Sequence, residues 1–254
     1  KRYLFSKTGN NAINIITVIA SFGVIVGSLA LFVILSGFSG LRTFSYNLLD
    51  VSDPDIKITS TKGKSFFVTA DLMENLNQNR SIKETSSIVE ERVFLEYNDK
   101  TEIAYIKGVE ENYTNISKID AALSAGTWLQ TDYSNTAVIG RGISNKLSLG
   151  ILNYGVPLKI MIPKPGTGFI NPRNPFYKIK TQIVGIYVGT EEFESKYVFT
   201  SIEQARSLLR YKENQVTSIE LKLTDVQEAD AVASFLGERC LLYTSPSPRD
   251  QAKS

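Results

Sequence analysis

The chain has 254 residues, of which 28 are basic and 26 acidic, so its formal net charge is only +2. Both signs are interspersed, without the basic run that binds a row of phosphates, and we expect no nucleic-acid partner. Histidine is absent and Cys240 is the only cysteine, which excludes Ser/His/Asp and Cys/His catalytic sites, histidine-ligated zinc and CxxC motifs. We therefore expect no catalytic residue, metal site or cofactor.

The N-terminal part predicts a membrane-spanning helix over residues 13–41. Ile15 to Leu35 is a run of 21 residues without a charge, which as a helix would be about 31 Å long and matches a hydrocarbon core of about 30 Å. A cleaved signal peptide is the alternative. Its apolar region is typically about 7 to 15 residues and ends at a small-x-small site, whereas this run is longer and continues as an apolar-rich stretch through Leu41.

Charges on either side of this helix predict its orientation. Three basic residues lie within the first seven positions, whereas the first charges after the span are a lone Arg42 and then Asp50. The positive-inside rule then places residues 1–12 in the cytoplasm and residues 42–239 outside it.

Small residues within the helix indicate a helix-packing site. Gly23 and Gly27 form a GxxxG pair, and Ser36 and Gly40 repeat the small-xxx-small spacing. Such spacing lets a second helix approach closely. Because glycine is common in membrane helices, background composition is the alternative explanation.

The remainder of the chain alternates between strand and helix patterns over short intervals. We predict an α+β fold with mixed or antiparallel sheets rather than a doubly wound parallel sheet. The predicted strands are 55–59, 86–97 and 101–109 (a hairpin with a turn at 98–100), 136–139, 157–162, 178–188, 197–200 and 218–224; the predicted helices are 69–79 with Thr69 as N-cap, 112–125, 142–149 closed by Gly150, 201–209 with Ser201 as N-cap, and 226–236.

A long loop interrupts this pattern between two predicted strands. Pro163 to Tyr177 holds four prolines and two glycines, and connections of this length are usually functional or disordered. We interpret it as a projecting protein-binding loop that exposes apolar side chains beside an arginine; the alternative is a tolerated insertion. The candidate binding residues are Pro163, Lys164, Pro165, Phe169, Ile170, Arg173 and Phe176.

Two further patterns suggest chemistry but support none. Ile139-Gly-Arg-Gly142 resembles the start of a dinucleotide fingerprint, but Asn145 stands where the third glycine belongs, so we assign the glycines to a strand-to-helix turn. Acidic pairs such as Glu90-Glu91 could suggest a two-carboxylate glycosidase, which needs a matched pair across a cleft. We interpret them as surface charge.

Residues 240–254 differ from the rest of the chain. Cys240 to Asp250 breaks the preceding alternation and carries two of the eight prolines. We interpret the segment as a non-native, adapter-derived tail and exclude it from the fold prediction. A natural disordered Ser/Pro tail is the alternative. A non-native tail would make this chain a fragment of a protein that continued past Arg239.

In order along residues 1–239, these signals resemble the permease subunits of MacB/FtsX-type ABC transporters, and most of all the lipoprotein-releasing (Lol) permeases. The resemblance rests on the amphipathic start at residues 2–5, the apolar helix and a series of short motifs. These motifs are Ile106-Lys-Gly-Val109, Gly126-Thr-Trp-Leu129, Val138-Ile-Gly-Arg-Gly142, Leu147-Ser-Leu-Gly150, Val184-Gly-Ile-Tyr187, Tyr197-Val-Phe-Thr-Ser201, Gln204-Ala-Arg206 and Ile219-Glu-Leu221.

The resemblance implies a bacterial inner membrane protein with a first membrane helix, a periplasmic MacB-like core domain of two α+β subdomains and three further membrane helices, which we expect to follow in the intact protein past the truncation at the tail. It implies no catalysis by this chain. The expected partners are a separate ABC ATPase, a second permease subunit, identical or paralogous, a periplasmic lipoprotein chaperone or adaptor that the loop would contact, and membrane lipid.

The sequence is also compatible with other functions. Within the family, efflux-type members meet an adaptor and cell-division members activate a wall hydrolase. Outside it, the pattern also fits a single-pass membrane sensor that dimerises through its GxxxG pair, or an anchored extracytoplasmic enzyme.

Overall fold

The computed structural model describes residues 11–50, 54–61, 63–130, 134–151, 155–164, 175–239 and 242–246. The chain forms two compact units, the first ending at Asn47 and the second beginning at Leu48. We refer to the second unit as the domain.

The first unit is dominated by one long helix. Helix α1 spans Asn11–Asp50, and its segment Ile15–Leu41 has a mean hydropathy of 2.7 with none of it buried. By length and composition this segment can cross a membrane, in agreement with the predicted span. The helix extends nine residues further, to Asp50.

The domain is mixed α+β, as predicted. Its helices are α2 (Ala70–Gln78), α3 (Arg141–Leu147), α4 (Glu191–Glu194), α5 (Ile202–Leu209) and α6 (Ala229–Arg239). Its strands are β1 (Ile56–Ser60), β2 (Phe66–Phe67), β3 (Ile82–Tyr97), β4 (Lys100–Val109), β5 (Leu123–Gly126), β6 (Thr136–Gly140), β7 (Leu158–Pro163), β8 (Phe176–Tyr187), β9 (Tyr197–Ser201), β10 (Gln215–Val216), β11 (Ser218–Leu223) and β12 (Leu242–Pro246).

Six of these strands close into a barrel. Strand β3 pairs with β4, β4 with β9, β9 with β6, β6 with β8, β8 with β7, and β7 returns to β3. The β4–β9 and β6–β8 pairs are parallel and the others antiparallel. Successive residues of β9 belong to different apolar cores, Val198 to the larger one and Phe199 to the smaller, as strand alternation requires.

A second region, the flanking sheet, continues from the same strand. Strand β11 pairs with the N-terminal half of β3, β1 with β11, and β12 with β1, all antiparallel. Apolar residues of α2 and α6, such as Leu76 and Leu236, pack in one core with Ile58 and Leu221 of this sheet. The segment excluded from the fold prediction thus contributes β12 at its edge.

The two predicted N-caps are confirmed. Thr69 Oγ1 accepts from the amide of Leu72 at 3.3 Å, and Ser201 Oγ accepts from the amide of Gln204 at 3.3 Å. These bonds satisfy amides that the first turn of a helix leaves without a partner.

Two local predictions are wrong. Residues 112–125 form 3₁₀ turns at Glu111–Asn115 and Ile119–Ala122 and then β5. Asn112 Nδ2 donates to the carbonyl of Thr85 at 2.8 Å, and Leu123 to Gly126 pair with β8 instead of continuing a helix. The left-handed position after α3 is held by Ser148, with φ 52°, rather than by Gly150.

Candidate functional site

The predicted binding loop leaves the barrel between two strands that stay paired to its base. Pro163 of β7 lies opposite Phe176 of β8, and the amide of Lys164 donates to the carbonyl of Pro175 at 2.9 Å. This bond encloses residues 165–174. Four of the predicted binding residues lie outside the described part of the chain, namely Pro165, Phe169, Ile170 and Arg173.

The base of the loop is fixed by aromatic contacts. The ring of Phe176 meets that of Phe94 edge-on with centroids 5.9 Å apart, so it is half-buried on the barrel rather than exposed as expected. Strand pairing to β7 directs this side chain onto the sheet. The Nζ atom of Lys164 lies 5.4 Å from the ring centroid of Tyr177, and the guanidinium carbon of Arg210 lies 5.2 Å from it.

Phe176 ends an outward-facing row of apolar side chains, the apolar strip, which consists of Ile103, Phe94, Met161 and Phe176. Phe94 lies directly opposite Ile103 on one neighbouring strand and opposite Met161 on the other, and Ile103 is 45% exposed. The sequence analysis missed this row. The signal for it in the sequence was the unbroken apolar run Val93-Phe-Leu95, because a strand with one face exposed to solvent would alternate apolar and polar residues.

The predicted helix-packing residues lie on the open surface of α1. A Cβ at Gly23, Gly27 or Gly40 would meet no atom within 4 Å, and Ser36 is exposed. Nine residues, about two and a half helical turns, separate Gly27 from Ser36. The two small-residue pairs therefore face opposite sides of the helix and could not contact one partner helix together.

The glycines Gly140 and Gly142 lie at the predicted strand-to-helix turn, where close packing rather than an unusual backbone angle requires them. Gly140 has φ −73°, which any residue can adopt. A Cβ there would overlap the backbone of Glu194, and one at Gly142 would overlap the side chain of Ser195. These glycines let β6 and α3 pack closely against α4.

A group of four charged residues, the charge tetrad, lies where β1, β11, β3 and β4 run side by side. Lys107 Nζ lies 2.9 Å from Glu220 Oε1, and both side chains are almost fully buried. Lys57 Nζ lies 2.8 Å from Glu90 Oε2 and 3.8 Å from Glu220 Oε1. Glu90 also accepts from the Tyr197 hydroxyl at 3.2 Å.

Contacts within the tetrad shift the pKa of Glu90 and of Lys107. Burial alone would raise the pKa of Glu90, but the charges of Lys57 and Lys107 and two hydrogen bonds outweigh it, so this pKa lies below its ordinary value of 4.5. Burial alone would lower the pKa of Lys107, but Glu220 and Glu90 raise it above 10.5. The interpretation of Glu90-Glu91 as surface charge is thus wrong for Glu90, whose side chain is only 16% exposed.

The apolar helix and the barrel-containing α+β domain define a class, a membrane protein with a folded domain outside the bilayer. The sequence matches the family described as the MacB-like periplasmic core domain over residues 17–237, and the chain belongs to this family.

Two comparisons support this assignment. The lipoprotein-releasing system transmembrane protein LolE of Haemophilus influenzae is 26% identical over 230 residues, which cover 88% of this chain and 54% of that protein. The chain thus spans about half the length of this relative. The periplasmic region of MacB from Actinobacillus actinomycetemcomitans has the same fold, with a TM-score of 0.53 and 12% identity, and the match covers 82% of this chain and 94% of that one. The resemblance to MacB/FtsX-type permeases is confirmed.

Proposed function

We propose that this chain is part of the permease subunit of an ABC transporter that releases lipoproteins from the bacterial inner membrane. The observation that carries the proposal is the similarity to LolE, which extends over 88% of the chain. The family match reaches from residue 17, inside α1, to residue 237, so helix and domain are related to this family together.

In this proposal the permease performs no covalent chemistry. A separate ATPase chain binds ATP in the cytoplasm, where residues 1–12 lie, and α1 passes the resulting helix movement to the periplasmic domain. A second permease subunit, identical or paralogous, packs against one of the two small-residue faces of α1, and lipid covers the rest of its apolar surface.

The surface proposed to meet the soluble lipoprotein chaperone combines the loop of residues 163–177 with the apolar strip. The strip extends over four strands of the barrel, from Phe176 on β8 at the base of the loop through β7 and β3 to Ile103 on β4. Charged residues border it: Glu96 pairs with Lys159 across β3 and β7, and Lys178 lies opposite Met161. An apolar centre with a charged rim is the usual anatomy of a protein interface.

Binding to the chaperone tests this surface. Replacing residues 165–174 by a short Gly/Ser turn keeps the bond between Lys164 and Pro175 and should weaken capture of the chaperone in a pull-down. Ile103→Ser should weaken it as well. Phe67→Ser is the matched control, because Phe67 is 53% exposed but lies on β2, outside the strip. Equal capture by all variants would discard the docking surface.

Release of cargo tests the function itself. The intact permease and its ATPase, reconstituted in liposomes with a lipidated protein, should transfer that protein to the soluble chaperone only when ATP is hydrolysed. Transfer of a lipid-free substrate in its place, with an adaptor required, would reject lipoprotein release in favour of an efflux function.

A further inference from the structure

Strand β3 changes partners along its length. Residues Ile82 to Ile88 pair with β11, and Phe94 to Glu96 pair with β7, while β4 pairs with Ile88 to Tyr97 on the other side. Between these two stretches, residues 89–93 pair with β4 on one side and with none of the described strands on the other. The flanking sheet and the barrel therefore separate at this point of their shared strand.

Side chains replace the missing strand at this opening. Thr217 Oγ1 accepts from the amide of Glu90 at 2.8 Å and donates to the carbonyl of Ile88 at 3.1 Å. The amide of Arg92 donates to Glu91 Oε1 at 3.2 Å, and Lys64 Nζ holds that carboxylate at 3.0 Å. A side chain can rotate away from its partner, whereas a paired strand moves as a whole. These side-chain bonds therefore resist bending of β3 less than the backbone hydrogen bonds of a paired strand would.

The charge tetrad spans this opening. Lys57 and Glu220 belong to the flanking sheet, Glu90 and Lys107 to β3 and β4. Its short contacts, Lys57 to Glu90 and Lys107 to Glu220, each join one region to the other. Yet Lys57 is the direct cross-strand neighbour of Glu220, and Glu90 that of Lys107. Each charge thus has a second oppositely charged partner within its own region, at the separation of directly opposed side chains.

We propose that residues 89–93 of β3 form a hinge and that the charge tetrad is its two-position latch. In the observed position the two shortest ion pairs cross the opening, and the pair of Lys57 with Glu220 within the flanking sheet is longer, at 3.8 Å. When the flanking sheet turns away from the barrel, the same four groups pair within each region, Lys57 with Glu220 and Lys107 with Glu90. No charge is left buried without a partner, which would otherwise make such a movement costly.

Neighbouring groups favour both positions. The Nζ atom of Lys107 lies 5.0 Å from the ring centroid of Tyr113 and 5.7 Å from that of Tyr197, and both rings belong to segments on the barrel side. These contacts move with Lys107. On the other side, Ser86 lies directly opposite Glu220, and Ser86 Oγ is buried without a hydrogen-bond partner among the described residues. This hydroxyl can donate to Glu220 when Lys107 leaves it.

Two charge exchanges of identical composition test the latch. In K57E/E90K the charges are opposite at both contacts that cross the opening and alike at both contacts within a region. This variant therefore favours the observed position. K57E/E220K does the reverse and favours the turned position. Spin labels on the full chain, at Asp99→Cys in the β3–β4 turn and Asp230→Cys on α6 in a Cys240→Ser background, report the distance between the regions.

We expect K57E/E90K to show the same distance distribution as the labelled chain with the original four charges. The distribution of K57E/E220K should shift by several ångströms. Identical distributions in two folded variants would overturn the latch. Because Glu220 is deeply buried, K57E/E220K could fail to fold, so amide exchange of the unmodified chain provides an independent test.

The amides of Glu90 and Arg92, which face the opening, should exchange at least about tenfold faster than those of Val89 and Val93, which face β4. Equal protection of all four would mean that the hinge does not open, whatever the variants do. The movement is internal to the domain, so neither result depends on lipoprotein release, and a failed hinge leaves the proposed function intact.

Discussion

Glycine has opposite surroundings in the two units of this chain. In α1, a Cβ added at Gly23, Gly27, Gly37 or Gly40 would meet no atom within 4 Å. In the domain, a Cβ at Gly140 or Gly185 would overlap the backbone of another segment. Gly140 and Gly185 are thus already required by contacts within the domain, whereas Gly150 has open space. The four glycines of α1 make no such contact with the described residues.

Large apolar side chains show the same contrast. Phe32 in α1 is 72% exposed, whereas Phe199 in the domain is fully buried. Charged residues show the reverse contrast. The domain buries several of them, whereas α1 carries none between Ile15 and Leu41. Packing inside the chain therefore specifies the domain, and the environment specifies the helix. The following variants test this difference.

The largest effect should come from a buried charge. Lys107→Met leaves Glu220 without its nearest counter-charge and should lower the free energy of unfolding by about 3 kcal/mol. Urea unfolding of the full chain in detergent, followed by circular dichroism, measures it. The matched variant Lys107→Met with Glu220→Leu removes both charges and should lose clearly less. An equal loss in the two would show that packing around Lys107, rather than charge pairing, determines stability.

A methyl group at a crowded glycine should have the next largest effect. Gly140→Ala forces α4 away from the start of α3 and should cost about 1 to 3 kcal/mol in the same unfolding measurement. Gly150→Ala is the control, because a Cβ there has open space. If the two variants were equally stable, the close packing of β6 on α4 would not matter to the fold.

Acid should weaken the domain through Glu90. Its folded-state pKa lies below 4.5, so the stability it contributes is present above pH 4.5 and is lost as the pH falls through the folded-state pKa. The urea concentration at the unfolding midpoint should therefore decrease when the pH is lowered from about 6 to about 3. Glu90→Gln should show a smaller fall over that range. A fall of the same size would assign the acid sensitivity to other carboxylates.

The smallest effect should appear in α1. Gly27→Ile should leave the unfolding of the domain unchanged and weaken helix association in the full-length permease by about 1 kcal/mol, or about fivefold. Gly37→Ile, also in open space but outside both small-residue pairs, is the control. Association in detergent, followed by sedimentation, compares them. Equal association of both variants with the unmodified protein would reject the packing site at Gly27.

Local signals in the sequence predicted most of the elements. The apolar run predicted α1, and Thr69 and Ser201 marked helix starts, because caps and periodicity depend on neighbours within a few residues. The helix predicted at 112–125 was wrong because its last residues form β5, which pairs with the distant strand β8.

The charge tetrad and the apolar strip could not be predicted in this way. Lys57 and Glu220 are 163 positions apart and meet only through the register of β1 with β11. Phe94, Ile103 and Met161 meet only because β3 pairs with both β4 and β7. A single sequence does not state which strands pair, and a shift of one residue would turn these side chains to the other face.

The 16 residues of β3 also determine the order in which the domain can be completed during synthesis. The strand is made early, but its partners β7 and β11 follow only at residues 158–163 and 218–223. Until Leu223 has left the ribosome, one edge of β3 stays unpaired and able to join a neighbouring chain. Formation of the native sheet must wait for these distant segments, so we expect the nascent domain to depend on chaperones until translation has passed β11.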